Sequence, residues 1–111
     1  MFNFHAAITS GWIMILAEVT YITIGKGVSA ADYVKSALDY FKKSGVRFYP
    51  NSMSTVLETN TVEEAFRVIA GAENELIKAG VPRVETVIKI DHRVDLENSV
   101  SRKLEAIGQK S

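Results

Sequence analysis

The sequence predicts an α+β domain in which two helices cover one face of a four-stranded antiparallel sheet. Three observations predict it. Apolar and β-branched residues alternate with polar ones in two long runs, residues 14–23 and 83–93, as half-buried strands require. Two stretches with apolar residues at helical spacing each begin on a capping signal and end on a glycine. The two halves then repeat one order: strand, capped helix, glycine stop, strand. That repeat is the split βαβ pattern of a ferredoxin-like fold. Its sheet order is 4-1-3-2, its central strands are the first and third, and its crossover helices share one face.

In the first strand, Ile15, Ala17, Val19 and Tyr21 share one face, and Leu16, Glu18, Thr20 and Ile22 share the other. Gly25-Lys26-Gly27 breaks the strand as a turn, since it lacks the spacing of a phosphate-binding loop. Ser29-Ala30-Ala31-Asp32 supplies a capping hydroxyl and a first-turn acid. Tyr33, Val34, Ala37, Leu38 and Phe41 follow as an apolar stripe, so a helix is expected over residues 30–44, stopped by Gly45. Residues 46–49 and 53–58 read as a hairpin bent at Pro50-Asn51-Ser52. Thr61-Val62-Glu63-Glu64 is a capping box opening a second helix. Its stripe is Ala65, Phe66, Ile69, Ala72, Leu76 and Ile77, with Gly80 and Pro82 closing it.

The fourth strand is the most informative stretch. Thr86, Ile88, Ile90 and His92 point one way, and Val87, Lys89, Asp91 and Arg93 the other. A ladder of three charged groups needs water or polar partners, and Asp91 and Arg93 are expected to bond each other or to cross a subunit boundary. A last helix is expected within residues 96–107, capped by Asp95 or Asn98 and ended by Gly108. The sheet face away from the crossover helices thus mixes Leu16, Ile22 and Val87 with Glu18, Thr20, Lys89 and Asp91. Such a face suits an interface better than water, which predicts a homo-oligomer.

The chain has 111 residues, enough for one domain. Residues 1–13 are expected to be an N-terminal extension, with Met14 as an alternative start, and residues 14–108 a single domain. The extension has no basic residue, and its apolar run stops at Glu18, unlike a secretory signal or a membrane span. Thirteen basic residues balance thirteen acidic ones, so the basic excess of a nucleic-acid binder is missing. No cysteine is present, which removes disulfides and thiolate chemistry and suits a cytoplasmic protein. Two histidines are too few for a histidine-built metal site. No cofactor, membrane partner or nucleic acid is expected.

Several pieces, in order and spacing, carry a family likeness. They are Ala17-Glu18-Val19-Thr20, Ile24-Gly25, Met53-Ser54-Thr55-Val56-Leu57-Glu58, Arg83-Val84-Glu85-Thr86, Lys89-Ile90-Asp91-His92-Arg93 and Lys103-Leu104-Glu105-Ala106-Ile107. With them the chain resembles the thiamine-binding, MTH1187/YkoF-like family of small ferredoxin-like proteins, over residues 14–107. The family pattern at the hairpin is Pro-Met-Gly-Thr, closing in Glu-Gly. Here it is Ser52-Met53-Ser54-Thr55, closing in Glu58-Thr59, so Ser54 is expected to narrow a pocket at that point.

The resemblance implies a non-catalytic protein that binds thiamine or its aminopyrimidine half, assembled as a tetramer, a dimer of dimers. Thiamine offers a cationic thiazolium and a hydrogen-bonding aminopyrimidine. The candidate ligand-binding residues are Glu18, Thr20, Met53, Ser54, Thr55, Glu58 and Asp91, with Tyr21, Phe48 and Tyr49 as ring faces or core. The carboxylates of Glu18 and Glu58 are expected to face the cationic or amino-bearing ring in a pocket near the subunit boundary. An acid–base pair among Glu18, Glu58 and Asp91 is the enzymatic alternative, which nothing in their spacing favours. The other alternative is an interaction module whose sheet face only builds the oligomer.

Overall fold

The computed structural model describes residues 12–25 and 30–109. Within these described residues seven elements follow in order: β1 (Ile15–Ile24), α1 (Ala30–Ser44), β2 (Arg47–Pro50), β3 (Thr55–Thr59), α2 (Val62–Lys78), β4 (Arg83–His92) and α3 (Val100–Ala106). The sheet is antiparallel throughout, in the order β2-β3-β1-β4. This is the predicted order read from the other edge.

The alternation along β1 decides which side the core takes. Ile15, Ala17 and Val19 are buried beneath α1 and α2. Leu57 of β3 joins them, with Ala37 and Phe41 from α1 and Ala65, Val68, Ile69, Ala72 and Leu76 from α2. The predicted stripe of α2 is displaced at its flanks. Val68 is buried, whereas Phe66 and Ile77 are exposed, because only a limited arc of a helix can face a sheet. The two helices meet at Gly71, where a Cβ would lie 2.0 Å from the Tyr40 hydroxyl. Thr61 caps α2 as predicted: its side chain accepts from the Glu64 N–H at 3.1 Å, whereas the Glu64 carboxylate reaches past the N-cap to accept from the Asn60 N–H at 3.2 Å. The capping signal at Ser29 lies outside the described residues.

The opposite face of the sheet is partly covered by the C-terminal segment. Leu16, Glu58 and Asp91 sit in one cross-strand row there. The Val100 N–H donates to Glu58 Oε2 at 2.7 Å, and Lys103 Nζ lies 2.7 Å from Asp91 Oδ2. Ser99 caps this helix, in place of Asp95 or Asn98. Asn98 is instead buried, and its amide donates to the carbonyls of Asp91 (3.0 Å) and Met14 (3.4 Å). Asp95 chelates Arg93 through two bonds of 2.6 and 3.1 Å. Asp91 and Arg93 therefore each have a partner of their own in the C-terminal segment, and do not pair with each other.

Ile13 and Met14 are both bonded to the domain through their backbones. The Ile13 carbonyl accepts from the Asn98 N–H at 2.7 Å, and the fully buried Met14 bonds Thr59 and Arg93 through its backbone. Residues 1–11 of the expected extension lie outside the described residues. Among the described residues, no helix is long and apolar enough to cross a membrane.

Candidate functional site

Strand lengths create the site. β1 has ten residues and pairs with β4 along its whole length, but β3 has five and pairs only with Ile15 through Val19. From Thr20 onward no described strand pairs with β1 on that side. The β2–β3 connection, Asn51 through Ser54, folds into the notch. A cavity of about 210 Å³ lies there, between the end of β3, β1 and α1.

Its floor is Val19, Thr20 and Tyr21 of β1. One wall is Val34, Ala37, Leu38 and Phe41 of α1. The other is Asn51, Ser52, Met53, Ser54 and Thr55. The lining among the described residues is apolar on the helix side and carries hydroxyls, an amide and backbone groups on the hairpin side. That is the arrangement that buries a flat ring while orienting its polar edge. The floor is rigid. The Tyr21 ring packs on Phe41 (centroids 6.4 Å apart), which packs on Phe48 (5.9 Å), and the Tyr21 hydroxyl donates to the Ile69 carbonyl at 2.7 Å. Burial, and then the nearby Glu73 carboxylate, push the Tyr21 phenol far above its ordinary pKa, so it stays a neutral donor. Glu73 itself accepts a hydrogen bond from the Thr86 hydroxyl.

The structure brings Thr20, Met53, Ser54 and Thr55 to this one cavity. Glu18 stands one bond behind it, on the sheet face away from α1, where the Ser54 hydroxyl donates to Glu18 Oε2 at 3.0 Å. The Thr20 hydroxyl donates to the Met53 carbonyl at 3.1 Å. Glu18 also lies directly opposite Lys89, but no ion pair within 4.0 Å joins them among the described residues.

Glu58 and Asp91 are not brought to the cavity. Glu58 is 4% exposed, and its second oxygen accepts from the Tyr49 hydroxyl at 3.1 Å, which leaves it facing α3 and β2 rather than the notch. Burial and the adjacent carboxylate raise the Tyr49 phenol pKa. The Lys103 ammonium, hydrogen-bonded to Asp91, holds that carboxyl below its ordinary value.

The α1 wall was not among the sequence candidates. Its residues read as ordinary core at helical spacing, and only the short β3 exposes them to a cavity. Val34, 47% exposed on that stripe, marks the opening. Ser54 takes an ordinary backbone conformation, since no described non-glycine residue has positive φ. Its hydroxyl turns to Glu18 and so away from the space it was expected to narrow.

Residues 17–108 match the family model for thiamine-binding protein. The UPF0045 protein MJ1052 of Methanocaldococcus jannaschii is 41% identical over 95 residues, covering 86% of this chain and 93% of its own. A UPF0045 protein of Methanothermobacter thermautotrophicus is 35% identical over 98 residues, covering 87% of this chain and 99% of its own. The crystal structure of the MJ1052 protein superposes with a TM-score of 0.78 over 86% of this chain and 96% of that one. A Thermotoga maritima protein named for thiamine biosynthesis or salvage shares the fold, with a TM-score of 0.73 at 12% identity over 84% of this chain and 97% of that one. With a family model matched over most of its length and relatives this similar, the chain belongs to the thiamine-binding protein family.

Proposed function

We propose that the protein binds thiamine, or its aminopyrimidine moiety, in the notch beside β1, without chemical conversion. The observation that carries this reading is the coincidence of the cavity with the Met53-Ser54-Thr55 hairpin, in a chain of a thiamine-binding family. At about 210 Å³ the cavity is smaller than the range of about 300–1,000 Å³ typical of drug-sized ligands. A single substituted ring suits it better than a two-ring molecule. Phe41 and Leu38 offer apolar contact, and Asn51, Thr55 and the hairpin backbone offer donors and acceptors to a ring amine and ring nitrogens.

The test is thermal unfolding with thiamine, its phosphates and hydroxymethylpyrimidine. A ligand that binds only the folded state stabilises it by about 2.7 kcal/mol at a hundredfold excess over Kd. Val34→Trp fills the opening from an exposed position, so it should abolish the ligand shift and leave the unliganded midpoint unchanged. If no compound moves the midpoint of the unmodified protein, the ligand reading fails and the interaction-module reading replaces it.

Part of this proposal is that the protein works as a homo-oligomer, a dimer of dimers, in the cytoplasm. What supports assembly is the sheet face that α3 leaves open. Ile22 and Val87 are 43% and 56% exposed there, among Thr20, Glu18, Lys89 and Glu85. Acids and bases interleave on this face, so a second copy turned about a two-fold axis can meet it with opposite charges facing.

A further inference from the structure

The hairpin wall of the cavity is held in place from behind. Within the turn, the Asn51 N–H donates to the Ser54 carbonyl at 2.8 Å, and the Ser52 N–H donates to Asn51 Oδ1 at 2.7 Å. These bonds set the shape of the turn but not its position against the sheet. Ladder pairing of the hairpin stops at Pro50 and Thr55. Packing does not anchor the tip either, since the Met53 side chain is 85% exposed. The two side-chain bonds from the tip to β1 are Ser54 Oγ to Glu18 Oε2 (3.0 Å) and Thr20 Oγ1 to the Met53 carbonyl (3.1 Å).

Glu18 and Thr20 flank Val19 in sequence, and strand alternation puts Val19 on the cavity floor while Glu18 projects to the other face. β1 therefore serves the site twice: one face of the strand floors it, and the other latches its wall.

From this we propose that Glu18 is a positioning residue for the binding cavity. Its carboxylate, through Ser54, holds the wall formed by residues 51–54 against β1, and Thr20 supplies the second tether. Glu18 sets how long a bound ring is retained without touching it. This inference rests on the reading of the notch as the ligand site. It replaces the expectation that the Glu18 charge faces the ligand. A carboxylate is suited to the role because a hydrogen bond to a charged acceptor is roughly twice as strong as a neutral one.

The test has one arm that needs no ligand. Backbone ¹⁵N order parameters are measured for residues 51–54 in the full chain. They are expected near the rigid value of about 0.85 in the unmodified protein and below about 0.6 in Glu18→Ala and in Ser54→Ala. The double variant should be no looser than either single one, because one bond is lost in all three. Glu18→Gln should stay close to the unmodified protein, since its amide oxygen still accepts from Ser54.

The second arm measures dissociation of hydroxymethylpyrimidine and of thiamine. Rates should rise about three- to tenfold in Glu18→Ala and Ser54→Ala, the factor expected for one hydrogen bond, and little in Glu18→Gln. Unchanged order parameters in both alanine variants would overturn the latch. So would a Glu18→Gln variant that loses binding as fully as Glu18→Ala while Ser54→Ala keeps it, because Glu18 would then act on the ligand by charge. Loosened order parameters with no binding of either probe support the latch and count against the ligand reading alone.

Discussion

Glu58 ties β3 to the first turn of α3. Its carboxylate is almost fully buried, yet both oxygens are engaged, by the Tyr49 hydroxyl and by the Val100 N–H at the start of α3. An acid at a helix N-terminus also meets the positive end of the helix dipole. Glu58→Ala leaves the part-buried Val100 N–H and the Tyr49 hydroxyl without their acceptor, so it should destabilise the fold by about 1–3 kcal/mol, read by urea unfolding. Its effect on ligand dissociation should be small, because Glu58 is turned away from the notch. Gly71 is a second single-residue constraint. Alanine there is a better helix former by about 1 kcal/mol, but its Cβ would meet the Tyr40 ring at 2.0–2.6 Å. Overpacking of this kind costs about 1–3 kcal/mol, so Gly71→Ala should lower the melting temperature. Adding Tyr40→Ala should remove the clash, and the double variant should show the strong non-additivity of residues in contact.

At the scale of elements, the two long helices and the short last one are stabilised differently. α2 has a full apolar stripe and a capping box, so losing its cap is tolerable. Thr61→Ala should cost about 1 kcal/mol in thermal or urea unfolding without changing the fold. α3 buries none of its own seven residues and docks through polar contacts: Asn98 and Ser99 before it, Glu58 at its first N–H, and Asp91 to Lys103. Its attachment should therefore depend on pH. The Asp91 carboxyl titrates below its ordinary value in the folded protein. A depressed carboxylate pKa contributes stability that is complete above the unfolded pKa of about 4 and is lost as pH falls through the folded one. The pair is about half exposed, so solvent screening keeps the effect small. Amide shifts of residues 98–106 followed by NMR from neutral pH downward should report local release of α3 on the acid side. In Lys103→Met the Asp91 carboxyl should titrate nearer its ordinary value.

At the scale of the whole molecule, the sheet has one face closed by α1 and α2 and another that α3 covers only at one end. The remainder of that second face carries Ile22 and Val87 in the open, with Glu18 and Lys89 between them and α3. Both side chains are about half exposed, so burying the remainder is worth about half of the roughly 1.5–3 kcal/mol of a fully exposed one, on both copies of a symmetric interface. Light scattering should therefore give a particle larger than the 12.3 kDa chain at micromolar concentration. Val87→Lys should shift it toward the monomer while the far-ultraviolet circular dichroism stays unchanged. A monomer in the unmodified protein would remove the assembly part of the proposal. The same face bears the Glu18 latch, so a partner seated on it would shield that bond from water and hold the wall of the notch more firmly.

The fold was legible in the sequence because its signals are local and repeat twice. Period-two alternation in β1 and β4, the Thr61 capping box and the stops at Gly45 and Gly80 each depend on a few neighbouring residues. In the order strand, helix, strand they leave few topologies, and the observed sheet is the one expected. The hairpin residues of the candidate site were legible for the same reason, as a short motif that resembles a family. What tertiary structure decided was the use of each polar group. Alternation put Glu18 and Asp91 on one face, but it did not show that Glu58 shares it or that a C-terminal helix would settle over Glu58 and Asp91. It did not place Ser99 as the cap, nor give Asp95 to Arg93 and Lys103 to Asp91. Glu58 and the Val100 N–H are 42 residues apart, and that bond, like the Asp91–Lys103 pair, follows from where α3 lands rather than from local pattern. The cavity too is a tertiary product. It exists because β1 is twice as long as β3, so that core-like residues of α1 meet the turn of a hairpin across a gap that no segment predicts by itself.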